Sequence, residues 1–206
     1  MIVDDTLSFS DHIAEKVNIA FQMLGIINRN FVDISEEAFL LLYKSLIRSH
    51  LEFAHCVWNP YRIGLVHDIE KVQMRATKMI HSCKNLPYIE RLKVLNLPTL
   101  KLRRLRGDMI EVYKILHGFY DGKVTPNLIR NKDSRTRGNS FKLSYIRSKY
   151  DLRKYSFSVR VTGIWNSLPE YVVISNSLNS FKNNLDKLWV KENVYYDWEA
   201  DLTVSY

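Results

Sequence analysis

Asp4 and Asp5 stand side by side behind an apolar pair in "IVDDT". Adjacent carboxylates in that setting are what two-metal phosphoryl transfer uses to hold magnesium. Such chemistry also needs carboxylates from a separate strand converging on the same ions, and elements on both sides to hold nucleotide and template. Only three residues precede Asp4, and everything after Asp5 reads as helix. "VDDT" therefore reads as a tight turn between two short strands, with Asp bonding its own backbone. Zinc is the next candidate chemistry, through His50, His55, Cys56, His81 and Cys83. No Cys-x-x-Cys pair occurs among them, and His55 and Cys56 are expected on different sides of one helix, so no metal site is assigned. Nucleophile elbows, Walker loops and dinucleotide-binding glycine loops are likewise missing from the sequence. Catalysis, metals and cofactors are set aside, and binding remains.

Binding has a clear carrier. The chain's formal charge is +8 over 206 residues. Residues 130–160 hold Arg130, Lys132, Arg135, Arg137, Lys142, Arg147, Lys149, Arg153, Lys154 and Arg160 against Asp133 and Asp151 alone, so this one segment carries the entire excess. A concentrated basic run points to a polyanionic partner. Phe141, Tyr145, Tyr150 and Tyr155 interleave with it, offering flat faces on which unpaired bases stack while the cations meet phosphate. The binding candidates are Arg135, Arg137, Lys142, Tyr145, Arg147, Lys149, Arg153 and Lys154, with Arg75 and Lys78 as a second row.

These residues need elements to hold them. Ser10 or Asp11 caps a helix to about Phe31, with Ile13, Val17, Ala20, Phe21, Leu24 and Ile27 on one stripe. Ser35 opens a second, placing Phe39, Leu42, Tyr43, Leu46 and Ile47 inward and running toward Asn59-Pro60. A third covers about 64–82, with Arg75 and Lys78 along one side. Thr99 caps a long helix over 100–117, whose Lys101, Arg103, Arg104 and Arg106 read either as solvated charges, with Arg104 pairing with Asp108, or as nucleic-acid contacts. After Gly118, Gly122 and Pro126, the period-two set Phe141, Leu143 and Tyr145 suggests a strand or hairpin arm. Helices at about 157–168 and 177–190 follow, then an acidic, aromatic tail expected to be flexible. The fold class is mainly α, a helical bundle with a minor β-hairpin element and a C-terminal α extension. No apolar run nears the roughly 20 residues of a membrane span, so no membrane partner is expected. Two cysteines without a pairing pattern suit a reducing, intracellular setting, nuclear or cytoplasmic.

Five segments in order carry a resemblance: "LSFSDHIAEKVNIAFQMLGIINRNF", "LLYKSLIRSHLEFAHCVWNPY", "DIEKVQMRATKMI", "LPTLKLRRLRGDMIEVYKIL" and "WNSLPEYVVISNSLNSFKNNLDKLW". Together they closely resemble the C-terminal part of non-LTR (LINE-type, jockey-like) retrotransposon reverse transcriptases, over about residues 1–190. The resemblance implies a residual palm-to-thumb hairpin at 1–10, a thumb-like helical bundle at 11–117, a basic-aromatic extension at 118–190 and a flexible tail at 191–206. The family's metal-binding Phe-x-Asp-Asp motif belongs upstream of these segments and is absent from the chain. The implied function is template–primer binding without the catalytic palm. Its partners would be an RNA template, a DNA primer and the missing palm and fingers region, with no cofactor and no small-molecule substrate. The alternative is a decayed or co-opted helical protein-interaction domain that binds no nucleic acid. On either reading the purified chain should incorporate no nucleotide on an oligonucleotide-primed RNA template with magnesium or manganese. Incorporation abolished by Asp4→Asn would overturn that expectation.

Overall fold

The computed structural model describes residues 1–31, 34–131 and 139–202. The fold is mainly α-helical, and its helices pack into two compact units. One comprises Met1–Arg104 with Val194–Ala200, and the other comprises residues 105–193 with Asp201 and Leu202. The division falls inside the long helix expected from Thr99 onward, rather than after Gly118.

The first unit opens with α1 (Ser10–Asn30), which buries Ile13, Val17, Ala20, Leu24 and Ile27 as its apolar spacing requires. Its start is not capped by Ser10 or Asp11, which lie within the helix. Phe9 turns the chain in the left-handed region (φ 55°), and the Asp4 carboxylate holds that turn from outside. It accepts from Thr6 Oγ1 at 2.7 Å, Ser8 N at 2.8 Å and Phe9 N at 2.7 Å. These bonds, the Thr6 hydroxyl's foremost, pull the Asp4 pKa down to about 2. The turn expected at Asp4 is present, but no strand flanks it among the described residues.

Ser35 caps α2 (Glu36–Leu42) as its sequence suggests, accepting from Ala38 N. A wide π-turn at Tyr43–Ile47 then leads into α3 (Arg48–Glu52). That turn shifts the register, so Phe39, Tyr43 and Ile47 are fully buried while Leu46, expected inward, faces solvent. The helix does not continue to Asn59. Ala54, at φ 54°, breaks it before α4 (His55–Trp58). Next comes α5 (Ile63–Thr77), which packs Ile69, Val72 and Ala76 into the same core. A 3₁₀ turn (His81–Cys83), α6 (Tyr88–Val94) and the first residues of α7 (Leu100–Leu116) complete this stretch.

Inside the unit lies a polar chain that apolar patterning did not reveal. Tyr43 Oη donates to Gln73 Oε1 at 2.5 Å, and Gln73 Nε2 donates to Tyr88 Oη and to the Pro98 carbonyl. Tyr88 Oη in turn donates to Glu70 Oε1 at 2.5 Å, and Leu100 N donates to Glu70 Oε2 at 3.1 Å. Glu70 is 0% exposed and stands at the N-terminus of α7, where backbone amides and the helix dipole favour an anion. Thr99 caps the same end, accepting from Leu102 N while its hydroxyl donates to the Val194 carbonyl. Residues 193–200 are thereby fastened rather than flexible: Tyr195 O accepts from Thr99 N, Trp198 stacks on His67, and Ala200 O accepts from Lys101 Nζ.

In the second unit the remainder of α7 buries Met109, Val112 and Tyr113, α9 (Phe157–Ser167) buries Val161 and Trp165, and α11 (Leu178–Trp189) buries Phe181 and Leu185. The short α8 (Asp151–Lys154) and α10 (Glu170–Val173) lie between them in sequence. Tyr113 stacks on Phe181 at 4.5 Å and donates to the Ser175 carbonyl at 2.6 Å. Ser177 caps α11 through Ser180 N. Among the described residues the expected hairpin is represented by one antiparallel bridge, Arg130 with Leu143.

Burial raises the Glu70 pKa above its ordinary 4.5, so folding favours the protonated carboxyl. Its contribution to stability is complete below about 4.5 and declines as pH rises through the native value. Urea unfolding of wild type and Glu70→Gln across pH 4–8 should show wild type losing ground to the variant as pH rises. Glu70→Ala, which leaves the Tyr88 hydroxyl proton and Leu100 N without their acceptor, should cost about 3 kcal/mol near pH 4 and less as pH rises.

Candidate nucleic-acid interface

Two groups of the sequence candidates fall on described surface, one in each unit. In the second unit residues 139–144 are riveted to α9. Asn139 Nδ2 donates to the Trp165 and Leu168 carbonyls at the helix's C-terminal end. Trp165 Nε1 donates to Phe141 O at 2.9 Å. Asn166 then does the work of a neighbouring strand for Leu143: its Oδ1 accepts from Leu143 N at 2.8 Å and its Nδ2 donates to Leu143 O at 2.9 Å. A side-chain amide has both groups a strand would offer, and it meets Leu143 on the edge turned away from residues 129–131.

Beyond Ser144 the inward register is lost. Phe141 and Leu143 face the core, but Tyr145, expected on their face, is 66% exposed. Tyr145, Arg147 and Lys149 point outward in alternation, with Ile146 and Ser148 half-buried. Tyr150, 78% exposed, and the exposed Arg153 and Lys154 on α8 extend the outward run. Lys154 Nζ lies 5.2 Å from the Tyr155 ring. Lys142 is half-buried within the bridged segment, its carbonyl accepting from Asn131 N. Arg135 and Arg137 lie outside the described residues.

Not every residue of the basic segment belongs to this surface. Phe141 is closed between the Arg130 guanidinium, 4.1 Å from its centroid, and the His117 ring at 5.2 Å. Arg160 is structural: its Nε and Nη2 each reach the buried Asp108 carboxylate at 3.0 Å. The cations of α7, read from sequence as solvated or as nucleic-acid contacts, are also engaged within their units. Arg103 forks onto Glu52, Arg106 forks onto Asp186, and Arg104 is buried with its Nε on Asn59 Oδ1 at 3.1 Å. Asp108, assigned to Arg104 by its i,i+4 spacing, is also a partner of Arg160.

The first unit contributes Arg75 and Lys78, both exposed on α5. They border a cleft of about 510 Å³ between the C-terminal ends of α1 and α5, lined also by Phe21, Leu24, Gly25, Asn28, Met79, His81 and Lys84. The α1 members recur at three- and four-residue spacing and form one stripe. Gly25 contributes no side chain where the stripe would otherwise be filled, and a Cβ added there meets nothing within 4 Å. The Arg75 guanidinium lies 5.6 Å from the Phe21 ring centroid. The sequence pattern named Arg75 and Lys78 but missed Lys84, which follows the 3₁₀ turn. It also missed the cleft itself, which only the mid-helix glycine hints at.

The zinc candidates do not behave as spacing suggested. His55 and Cys56, expected apart, lie 3.6 Å from each other between Nε2 and Sγ, because the break at Ala54 lets His55 fold back to the Glu52 carbonyl. Cys83 is buried in the first unit's core. No helix among the described residues is long and apolar enough to cross a membrane. No protein-family model, curated protein or solved structure matches the chain.

Charges that build the fold and charges that face solvent should separate in unfolding experiments. Arg160→Ala, which removes the guanidinium fork from the buried Asp108 carboxylate, should cost about 3–5 kcal/mol. Tyr145→Ala and Lys149→Gln should each stay within about 0.5 kcal/mol of wild type.

Proposed function

We propose that this chain binds nucleic acid containing unpaired bases, as the template–primer-holding part of a retrotransposon RNA-directed DNA polymerase whose catalytic palm lies outside it. One observation carries the reading: Tyr145 and Tyr150 stand largely in solvent, interleaved with the outward Arg147, Lys149, Arg153 and Lys154. Exposed rings are costly to leave in water without a partner, and stacked bases are the partner whose phosphates also answer the cations. The ordered resemblance to the thumb and post-thumb region supplies the biological setting, with RNA template and DNA primer as partners. Arg75 and Lys78 offer a second set of phosphate contacts.

A helical protein-interaction domain is the competing reading. Phe53, Val57 and Ile63 favour it, because they leave apolar surface exposed around α4. The two differ in salt dependence. Phosphate contacts release counterions, so affinity for a single strand falls with a log–log slope of about −0.7 per contact. Fluorescence anisotropy on short RNA, DNA and primer–template hybrids across a salt series should give about −3 for the outward cations. Arg147→Gln with Lys149→Gln should flatten the slope by about 1.4. Tyr145→Ala should cost about 1–3 kcal/mol at unchanged slope. A shallow slope shared by wild type and the double variant would leave the interaction domain as the better reading.

A further inference from the structure

We infer that the cleft between the ends of α1 and α5 is a seat for one unpaired nucleotide, with its base against the apolar wall and its phosphate on the cations. The inference rests on the nucleic-acid reading above and adds a specific subsite to it. Three observations meet there.

The first is the hole itself. Glycine inside a helix is destabilising relative to alanine, so a mid-helix glycine usually marks a close approach that a side chain would block. At Gly25 no protein atom makes that approach, since an added Cβ meets nothing within 4 Å. What the glycine leaves open is the cleft, whose volume of about 510 Å³ lies in the range of small-ligand sites.

The second is the division of the walls. Phe21, Leu24 and Met79 line the cleft together with Arg75, Lys78 and Lys84. A bare anion would use the cations and leave the apolar wall idle, and an apolar ligand would do the reverse. A nucleotide has a flat, apolar-faced base joined through a sugar to a phosphate, and it uses both. The Arg75 guanidinium already lies over Phe21, and an arginine plane is itself a surface on which bases stack. Asn28, one turn beyond Gly25, brings an amide able to donate to and accept from a base edge.

The third is the state of the charges. Arg103 and Arg106 of α7 and Arg160 of α9 are all forked onto carboxylates. Among the described residues Arg75, Lys78 and Lys84 form no ion pair. Three cations gathered without a carboxylate repel one another unless an anion joins them.

The test fills the cleft without touching its charges. Gly25→Leu is compared with Gly25→Ala in a full-length chain also carrying Tyr145→Ala and Tyr150→Ala, so that stacking on those rings does not contribute. Anisotropy is read on a 12-nucleotide single-stranded RNA and on the same oligomer with abasic positions. The chain with Gly25 should prefer the intact oligomer by about tenfold, the effect of one stacked base. Gly25→Leu should abolish that preference at unchanged salt slope, while Lys84→Gln should flatten the slope by about 0.7 and keep the preference. If the oligomer binds and Gly25→Leu leaves the preference intact, the subsite is wrong while the nucleic-acid reading stands. If Gly25→Leu weakens intact and abasic oligomers equally, the cleft holds backbone alone and the base seat is wrong. If no oligomer binds wild type, both readings fail together. Should Gly25→Leu not fold, photocrosslinking of 4-thiouridine RNA to the wild-type chain decides. Adducts within residues 21–28 or 75–84 are expected, and adducts confined to other segments would overturn the subsite.

Discussion

A carboxylate with no access to water stands at the first amides of α7, and the architecture of the first unit is arranged to keep it there. Glu70 comes from the middle of α5, Tyr88 from the start of α6, Gln73 from one turn further along α5, and Tyr43 from the π-turn. Each satisfies another's buried polar atom, so four segments are fixed by a single chain of hydrogen bonds as well as by apolar contact. Such a network is demanding, because leaving one member unsatisfied costs about as much as a sizeable part of a domain's net stability. It also specifies orientation, which a greasy core alone does not. The entry of α7, and so the position of Lys101, Arg103 and Arg104 at its start, follows from that arrangement.

Basic residues in this chain therefore divide by what lies beneath them. Along α7 the long cationic side chains reach carboxylates and carbonyls of their own units. Their charge is spent on the fold. Along 145–154 and at the ends of α1 and α5, cations of the same chemical type project into solvent. In the second unit Asn166 satisfies both backbone groups of Leu143, and from Tyr145 onward alternate side chains face outward.

Much of the architecture was legible in the sequence, because an apolar stripe and a cap are local patterns. The stripe of α1 fell where spacing put it, and Ser35 and Thr99 cap the helices they precede. What the sequence hid was non-local. Glu70 reads as an ordinary solvated residue until α7 arrives above it, and Arg160 reads as part of a basic run until Asp108 is found beneath it. Leu46 was misplaced because a π-turn inserts a residue that no periodicity announces. Of the strand or hairpin arm suggested by Phe141, Leu143 and Tyr145, the described residues show the bridge of Leu143 to Arg130, with Tyr145 turned outward. The site was legible only in part: Arg75 and Lys78 were named, but the hollow beside them depends on a glycine from another helix.

The return of residues 194–200 to the first unit has a consequence for how the molecule is made. Thr99 and Val194 are separated by 95 positions, yet their hydrogen bond closes the start of α7. The second unit is thus an insertion within the first, and all its residues except the last few are synthesised before the first unit receives its final piece. Closing so long an excursion adds little to the equilibrium cost, since loop entropy grows only with the logarithm of length. It weighs instead on time, because contacts this distant form late and slow the search. During translation the second unit can gather its own core while the first waits, with Thr99 still lacking the carbonyl that its hydroxyl will finally meet.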